Sequence, residues 1–395
     1  MVDDDNQSNM FERTEKLNDA RESMDDGIVW GGAEPGDQSV ANAEAAAAKP
    51  MVAIQGEGAD QAERPAGPVG LDVGTTHIVA AQNKRNHIET VNQLNAFFTV
   101  PVSKFSRKIL QSHDIIFFER NDLFYIIGYS AESFANMFNT NTRRPIHEGL
   151  LSPSEKEGLS VVQAVVSTLI NKPKRFGEVI CFGIPGEPLD GPTAGALTYH
   201  EQVITMYLQN MGYTPMAVNE GMATVLCELA DDDYTGIGIS MGGGMCNVCL
   251  SYLSFPVITF SVQMAGDYID RMAGAATAEP ATKVKVIKEA ELDLSREPKG
   301  MVHTALHIYY DEVIAKLLTS LQRVLASSDK LPKISKPVPI ILSGGTAMPR
   351  GCHSKVSRVL EKVNLPIEIS EVRLASDPLY ATSKGALIMA MTEAG

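Results

Sequence analysis

The chain has 395 residues, 48 Asp and Glu against 34 Lys and Arg, a formal net charge of −14, and 44% hydrophobic residues. That length permits two or three domains of ordinary globular composition, and the acidic balance excludes a nucleic-acid-binding surface, which needs a basic face. No apolar run approaches the roughly 18 residues of a transmembrane segment, and the start, Met1–Met10, is too acidic and polar for a signal peptide. The five cysteines (Cys181, Cys227, Cys246, Cys249, Cys352) are an odd number in a long chain. They read as reduced thiols and a cytoplasmic location rather than a disulfide framework.

Residues 1–68 hold fifteen Asp and Glu against five Lys and Arg, a net of −10 out of the total −14. With few large apolar side chains, this segment cannot bury enough surface to offset its ordering entropy, and it reads as a disordered acidic tail. Phe11–Asp25 has the pattern of a short polar helix, and Trp30 sits in the apolar island Gly27-Ile28-Val29-Trp30. The tail is either a solvated segment or a docking arm for a protein partner with a basic surface.

From Val69 the pattern changes to short β-rich runs at 69–73, 78–81, 115–119 and 124–127. A helix over 155–170 follows, with Ser152 or Ser154 as N-cap. A strand at 179–184, a helix over 191–211 and a short strand at 216–218 come next. Asn219 then caps a helix over 219–230. Helices are expected at 266–275, 284–294, 302–327, 354–363 and 381–391, with strands at 339–342 and 367–370. Hairpins mixed with strand–helix units make this an α/β protein.

Two glycine turns stand out. Val69-Gly70-Leu71-Asp72-Val73-Gly74-Thr75-Thr76-His77-Ile78 and Ile237-Gly238-Ile239-Ser240-Met241-Gly242-Gly243-Gly244-Met245-Cys246-Asn247 each read as strand, tight turn, strand. Asp72 and Ser240 fall at matching places. Such turns aim backbone N–H groups at one point that suits a phosphate, and glycine permits the close approach. Two of them far apart in sequence point to a duplication and to two lobes gripping one phosphate tail.

These turns, with Asn219-Glu220-Gly221, Ser343-Gly344-Gly345-Thr346-Ala347-Met348 and Tyr380-Ala381-Thr382-Ser383-Lys384-Gly385-Ala386, occur in the order found in actin-fold ATPases. From about Val69 to Ala394 the chain resembles that superfamily, and within it bacterial actins of the MreB and MamK type. The resemblance implies a ribonuclease H-like duplicated, two-lobed nucleotide-binding fold. Lobe I would span 69–218, completed by 376–395, and lobe II 219–375. It implies ATP and Mg²⁺ as cofactors. Asp72 would hold Mg²⁺ through water, and Glu220 would position the attacking water. Gly74, Thr75, Thr76, Gly242, Gly243 and Gly244 would face the phosphates; Gly344, Gly345, Thr346 and Met348 would border the adenosine. Asp267 would have a structural role, and the small residues of the two connecting helices would let those helices cross closely.

The chain departs from the family pattern at three places. Gly221 replaces a proline, Ser240 an aspartate, and Met245 a threonine. Losing an outer-shell metal group typically lowers metal affinity or activity by about 10–100-fold, so nucleotide binding with weakened hydrolysis is expected, and ATPase activity is left open. Lys288-Glu289-Ala290-Glu291 does not match the family's ribose-contacting pair. Cys246-x-x-Cys249 is not a metal site, because on a strand the two thiols face opposite sides. The expected function is a cytoskeletal protein that self-associates into filaments when nucleotide closes the lobes. A non-polymerising, nucleotide-gated scaffold is the alternative; no acid base beside a hydroxyl substrate supports a sugar kinase.

Overall fold

The glycine hairpins found in the sequence are the first strands of two five-stranded sheets with the same strand order. The computed structural model describes residues 53–56, 62, 64–151, 155, 157–190, 195–329, 331–334 and 336–395, all within the unit Gln38–Gly395. In chain order the first half runs β1 (Ile54–Gln55), β2 (Val69–Val73), β3 (His77–Lys84), β4 (His87–Leu94), β5 (Phe97–Pro101), α1 (Lys104–Ser112), β6 (Phe117–Arg120), β7 (Leu123–Ile127), α2 (Gly128–Met137), β8 (Ile146–His147), β9 (Leu150–Leu151), α3 (Gly158–Leu169), β10 (Val179–Ile184), α4 (Ala196–Met211) and β11 (Thr214–Asn219). The second half runs α5 (Glu220–Glu228), β12 (Gly236–Met241), β13 (Cys246–Tyr252), β14 (Phe255–Val262), α6 (Gly266–Thr277), α7 (Ala281–Glu291), α8 (Gly300–Ser327), β15 (Val338–Ser343), α9 (Cys352–Leu360), β16 (Ile369–Leu374) and α10 (Ala381–Ala394).

The first sheet is ordered β11-β10-β2-β3-β4 and the second β14-β13-β12-β15-β16. In each, the hairpin strands pair antiparallel and the other two join in parallel. The register matches as well: Leu71 lies opposite Phe182 as Ile239 lies opposite Leu342. Each sheet has its own apolar core, one including Leu71, Phe182, Val165 and Leu208, the other Ile239, Leu342, Tyr310 and Leu317. A third cluster joins α5 and α10 between them, including Ala223, Val225, Ala381 and Ala386.

The two connecting helices cross at almost no distance. A Cβ on Gly385 of α10 would land on the carbonyl oxygen of Ala223 in α5. The same applies where each helix meets its sheet. A Cβ on Gly70 would strike the Ser383 carbonyl of α10, and one on Gly238 the Gly221 carbonyl of α5. The departure at Gly221 thus has a reason: a Cβ there would lie 2.6 Å from the Cys249 nitrogen, and a proline ring is larger still.

The region between 85 and 140 is richer than the sequence reading allowed. It adds β4, β5, α1 and α2, and the four-stranded sheet β1-β6-β7-β5. α1 escaped notice because Leu110 is its one buried side chain. The expected lack of structure up to residue 68 is corrected at Ile54–Gln55, which pair antiparallel with Phe118 and Phe117 at the sheet edge. Arg64 also donates to the Pro173 carbonyl at 2.8 Å. The rest of the tail readings, including Phe11–Asp25 and Trp30, lie outside the described residues, as do Ser152, Ser154 and residues 191–194. The expected helix over 155–170 begins instead at Gly158, with Glu157 at its N-cap and no side-chain cap bond. α5 starts as expected, with the Asn219 side chain accepting from the Met222 N–H at 3.2 Å.

Candidate functional site

The two hairpin turns line one cleft. In the first, the Gly74 N–H donates to the His77 carbonyl at 3.0 Å, and Asn95 holds the turn from behind, donating from Nδ2 to the Gly74 carbonyl at 2.9 Å. In the second, the Gly242 N–H makes the equivalent bond to the Met245 carbonyl at 2.9 Å. That turn is held by the start of α6: Gly266 and Asp267 donate to the carbonyls of Gly242 and Gly243 at 3.1 and 2.7 Å. Thr346 Oγ1 also donates to the Gly242 carbonyl, at 2.6 Å.

The turns pack so closely that side chains are excluded. A Cβ on Gly243 would meet Thr76 Oγ1, and a Cβ on Gly244 would meet the Gly149 nitrogen. Thr76 Oγ1 reaches Asp267 Oδ1 at 3.4 Å, and Arg144 joins the same carboxylate at 3.6 Å while donating to the Thr75 and Thr76 carbonyls at 3.3 and 3.4 Å. Asp267 is therefore a bridge between the hairpins as well as a first-turn helix acid.

Asp72 on β2 and Glu220 at the start of α5 lie on either side of Gly183, whose Cβ would fall 3.3 Å from Glu220 Cγ and 3.8 Å from Asp72 Oδ1. Burial, and then the charge of Glu220, push the Asp72 carboxyl well above its usual range. Burial raises Glu220 too, while donors from Ser240 and Asn247 pull it back down in part. Ser240 Oγ donates to Glu220 Oε2 at 3.1 Å and Asn247 Nδ2 donates to the same oxygen at 2.9 Å. Ser240 and Asn247 are direct cross-strand partners. The Gly186 N–H, donating to Asn247 Oδ1 at 3.0 Å, orients the amide so that its NH₂ faces Glu220. Ser240, where the family has an acid, thus serves as a donor that fixes Glu220.

The far end of the cleft is the turn after β15. Gly344 has φ of 86°, a left-handed conformation that favours glycine, and a Cβ there would land on the Met241 carbonyl. Gly345, Thr346 and Leu379 complete this end. One wall is α7, which presents Lys285, Lys288 and Glu289. Lys288 Nζ donates to Asp270 Oδ2 at 2.8 Å and to the Gly266 carbonyl at 3.3 Å; burial still raises Asp270 to about 6.

Of the residues selected from the sequence, the cleft gathers Asp72, Gly74, Thr75, Thr76, Glu220, Gly242, Gly243, Gly244, Gly344, Gly345 and Thr346. Met348 does not join them. It follows the short 3₁₀ turn Gly345–Ala347 and is 49% exposed. His77 lines the cleft, and burial lowers it to about 4. Met245 also lines it and packs over Gly149. Sequence reading missed Asn247, Lys285, Asp270, Gly149 and Gly183. The cross-strand position of Asn247 opposite Ser240 was the one available signal. The Cys246 and Cys249 side chains belong to separate cores, as strand alternation requires, and burial pushes each up to about 12. Among the described residues, no group of His, Cys, Asp and Glu could hold a metal ion by side chains alone, and no helix is long and apolar enough to cross a membrane.

The fold matches solved actin-like structures at low sequence identity. A MamK double helical filament structure superposes with a TM-score of 0.61 at 17% identity, covering 82% of this chain and 98% of that one. MreB5 of Spiroplasma citri bound to AMPPNP gives 0.56 at 13% identity, covering 84% and 98%; the same protein bound to ADP gives 0.57 at 13%, covering 82% and 96%. No curated protein matches the chain. The fold is thus actin-like, α/β and duplicated, like those of the bacterial actins MamK and MreB5. The family model described as Volactin matches residues 68–390, and the chain belongs to the Volactin family.

Proposed function

We infer that this protein is an actin-like cytoskeletal protein that binds ATP in the cleft between its two sheets and assembles into filaments in the cytoplasm. The observation that carries this reading is the convergence of both glycine hairpins, Asp72, Glu220 and the Gly344–Thr346 turn on one cleft. The solved MreB5 structures hold AMPPNP or ADP, and the MamK structure is a double helical filament.

The site suits a nucleotide with a divalent cation. The Gly74 and Gly242 N–H groups close the two turns, and the backbone N–H groups of Thr75, Thr76, Gly243 and Gly244 would supply donors for phosphate oxygens. Among the described residues, no lysine or arginine acts on the Asp72–Glu220 pair. Two shielded carboxylates, both raised by burial and Asp72 further by the charge of Glu220, are the environment a Mg²⁺ would relieve. Asp72 would hold it through water, and it would supply charge neutralisation at the phosphates. Glu220, fixed by Ser240 and Asn247, would accept a hydrogen bond from the attacking water. Lys285, Lys288 and Glu289 on one wall, with Gly344–Thr346 at the far end, would border the nucleoside. Hydrolysis is expected to be slow, because Ser240 brings no second carboxylate. Domain boundaries near residues 218 and 375 follow from the same reading, and the acidic tail would serve a protein partner.

Calorimetric titration with ATP and Mg²⁺ tests the cleft, and pelleting with electron microscopy tests assembly. Binding with filaments supports the whole reading. Binding with monomer under every nucleotide condition favours a nucleotide-gated scaffold. An absence of binding removes both.

A further inference from the structure

The helices and segments built on the two sheets meet in more than one way around the cleft. At the α5–α10 crossing, backbone lies on backbone and no side chain intervenes. That contact can pivot but not part without unpacking the core around Ala223 and Ala386. Besides the Asp267 bridge and the Gly186–Asn247 bond, polar contacts join α2 and the segment after it to α7. Lys285 Nζ on α7 donates to Glu132 Oε1 on α2 at 2.6 Å. The Thr142 N–H donates to Thr282 Oγ1 at 3.1 Å, and the Thr282 N–H donates to Asn141 Oδ1 at 3.2 Å. The pair is well enclosed: the side chains of Lys285 and Glu132 are 3% and 17% exposed. Lys285 also lines the cleft, so one member of the contact borders the space a ligand would occupy.

We propose that Glu132 and Lys285, backed by Asn141 and Thr282, form a latch across the cleft that must break before a bound nucleotide can leave. The release part of this claim rests on the nucleotide-binding reading of the cleft. Such a latch holds for physical reasons. Salt screens an enclosed ion pair far less than an exposed one. Two backbone N–H groups, those of Thr142 and Thr282, lose their partners when the contact opens. Opening therefore exposes several polar groups in one step, the condition for a discrete two-state closure rather than gradual loosening. Glu289 gives the latch a reset: it pairs with Lys285 from one turn along α7, at 3.0 Å, and stays on the second half. Lys285 thus keeps a counter-charge when Glu132 departs, and the open state carries no isolated buried cation.

That second partner also makes the test clean. Glu132→Gln removes the charge that crosses between the halves and leaves Lys285 paired. Thr282→Val removes the acceptor for Thr142 and keeps the side-chain shape. Lys283→Gln is the control, because Lys283 pairs with Glu279 within the second half. Hydrogen exchange of the full chain without nucleotide reads the latch itself. Both latch variants should speed exchange at residues 138–143 and 281–291 by roughly tenfold, with the control unchanged. Stopped-flow release of a fluorescent ATP analogue, chased by excess ATP, reads the consequence; each latch variant should release it roughly tenfold faster. Exchange indistinguishable from wild type in both variants would overturn the latch. Faster exchange with unchanged release would overturn its control of the nucleotide. A wild type that does not bind the analogue would overturn the cleft reading and the release claim, while the exchange data would still decide whether the contact is a latch.

Discussion

The two glycine hairpins have one backbone and two chemistries. Gly74 and Gly242 make the same turn bond, to His77 and Met245, at 3.0 and 2.9 Å. Asp72 and Ser240 occupy the same place on β2 and β12, and Gly183 and Ser343 lie beside them on β10 and β15. Beside Asp72 lie Gly74, Gly183 and Val79, none of which offers a side-chain donor, and the charge of Glu220 acts on it. Around Ser240 they are hydrogen-bonding, with Asn247 opposite and the hydroxyls of Ser343 and Thr224 joined at 2.7 Å. The first half thus contributes a bare acid, and the second contributes donors that grip Glu220. A duplicated fold has been kept where backbone packing demands it and has diverged where side chains meet the cleft.

The sharpest way to break this comparison is to remove each member of the pair. Asp72→Ala should weaken Mg²⁺-dependent ATP binding by at least roughly 100-fold, since the site loses the group that would hold the cation's water shell. Ser240→Ala should cost only roughly tenfold or less, because Asn247 still donates to Glu220. Calorimetric titration with and without Mg²⁺ measures both. Equal losses would mean that the hairpins are chemically equivalent after all. Ser240→Asp sharpens the same point. It adds a third carboxylate to the pair, so without Mg²⁺ the variant should be less stable than wild type, and increasingly so as pH rises and the acids ionise. If wild type already hydrolyses ATP as fast as this variant, Ser240 is no impediment to hydrolysis.

Packing should show the opposite pattern, symmetry. Gly70 and Gly238 stand at matching positions beneath α10 and α5, and a Cβ on either would strike a helix carbonyl. Gly70→Ala and Gly238→Ala should each destabilise the fold by about 1–3 kcal/mol or more, because backbone cannot move aside as a side chain can. Thermal unfolding of the two variants should give similar losses. A neutral Gly238→Ala beside a damaging Gly70→Ala would show that the second half has relaxed its packing too.

This division also explains what could be read from the chain before its structure. The hairpins, the Asn219 cap and the glycine turn at 344–345 are local signals, written in consecutive residues; the hairpin turns and the glycine turn line the cleft, and the cap sets the helix start that brings Glu220 to it. β4, β5, α1 and α2 carry weaker local signals, because their stability comes from the sheet and core they join; β4 is largely exposed and α1 buries only Leu110. Lys285 and Asp270 were invisible for a different reason. Each acts through partners 153 and 18 residues away, and only the folded chain brings them together. Met348 misled because it follows two glycines that do line the cleft, yet the 3₁₀ turn carries its side chain outward.

The smallest effect concerns the residues that close the two turn bonds. His77 and Met245 are matched, but only His77 can titrate. Burial lowers it to about 4, and burial does the same to His200 on α4, whose Nδ1 accepts from the Leu151 N–H at 3.0 Å. Both imidazoles are therefore neutral in the fold and gain a proton more readily once unfolded, near pH 6.5. The stability this contributes is complete above that value and is lost as pH falls from about 6.5 toward 4, by about 1–3 kcal/mol per histidine. Asp270, raised to about 6 by burial, works in the opposite sense, losing stability as pH rises from about 4 to 6. The expected slope in that window is then the difference between the histidines that burial lowers, His77, His200 and His307, and the acids that it raises, Asp270, Asp72 and Glu220. His77→Met copies the second hairpin into the first and removes one histidine from that balance. Urea unfolding at pH 4.5 and 7.5 should show the variant losing less stability on acidification than wild type. An unchanged difference would mean that His77 is already solvated in the folded protein, and that the first hairpin is as open to water at this position as the second is closed by Met245.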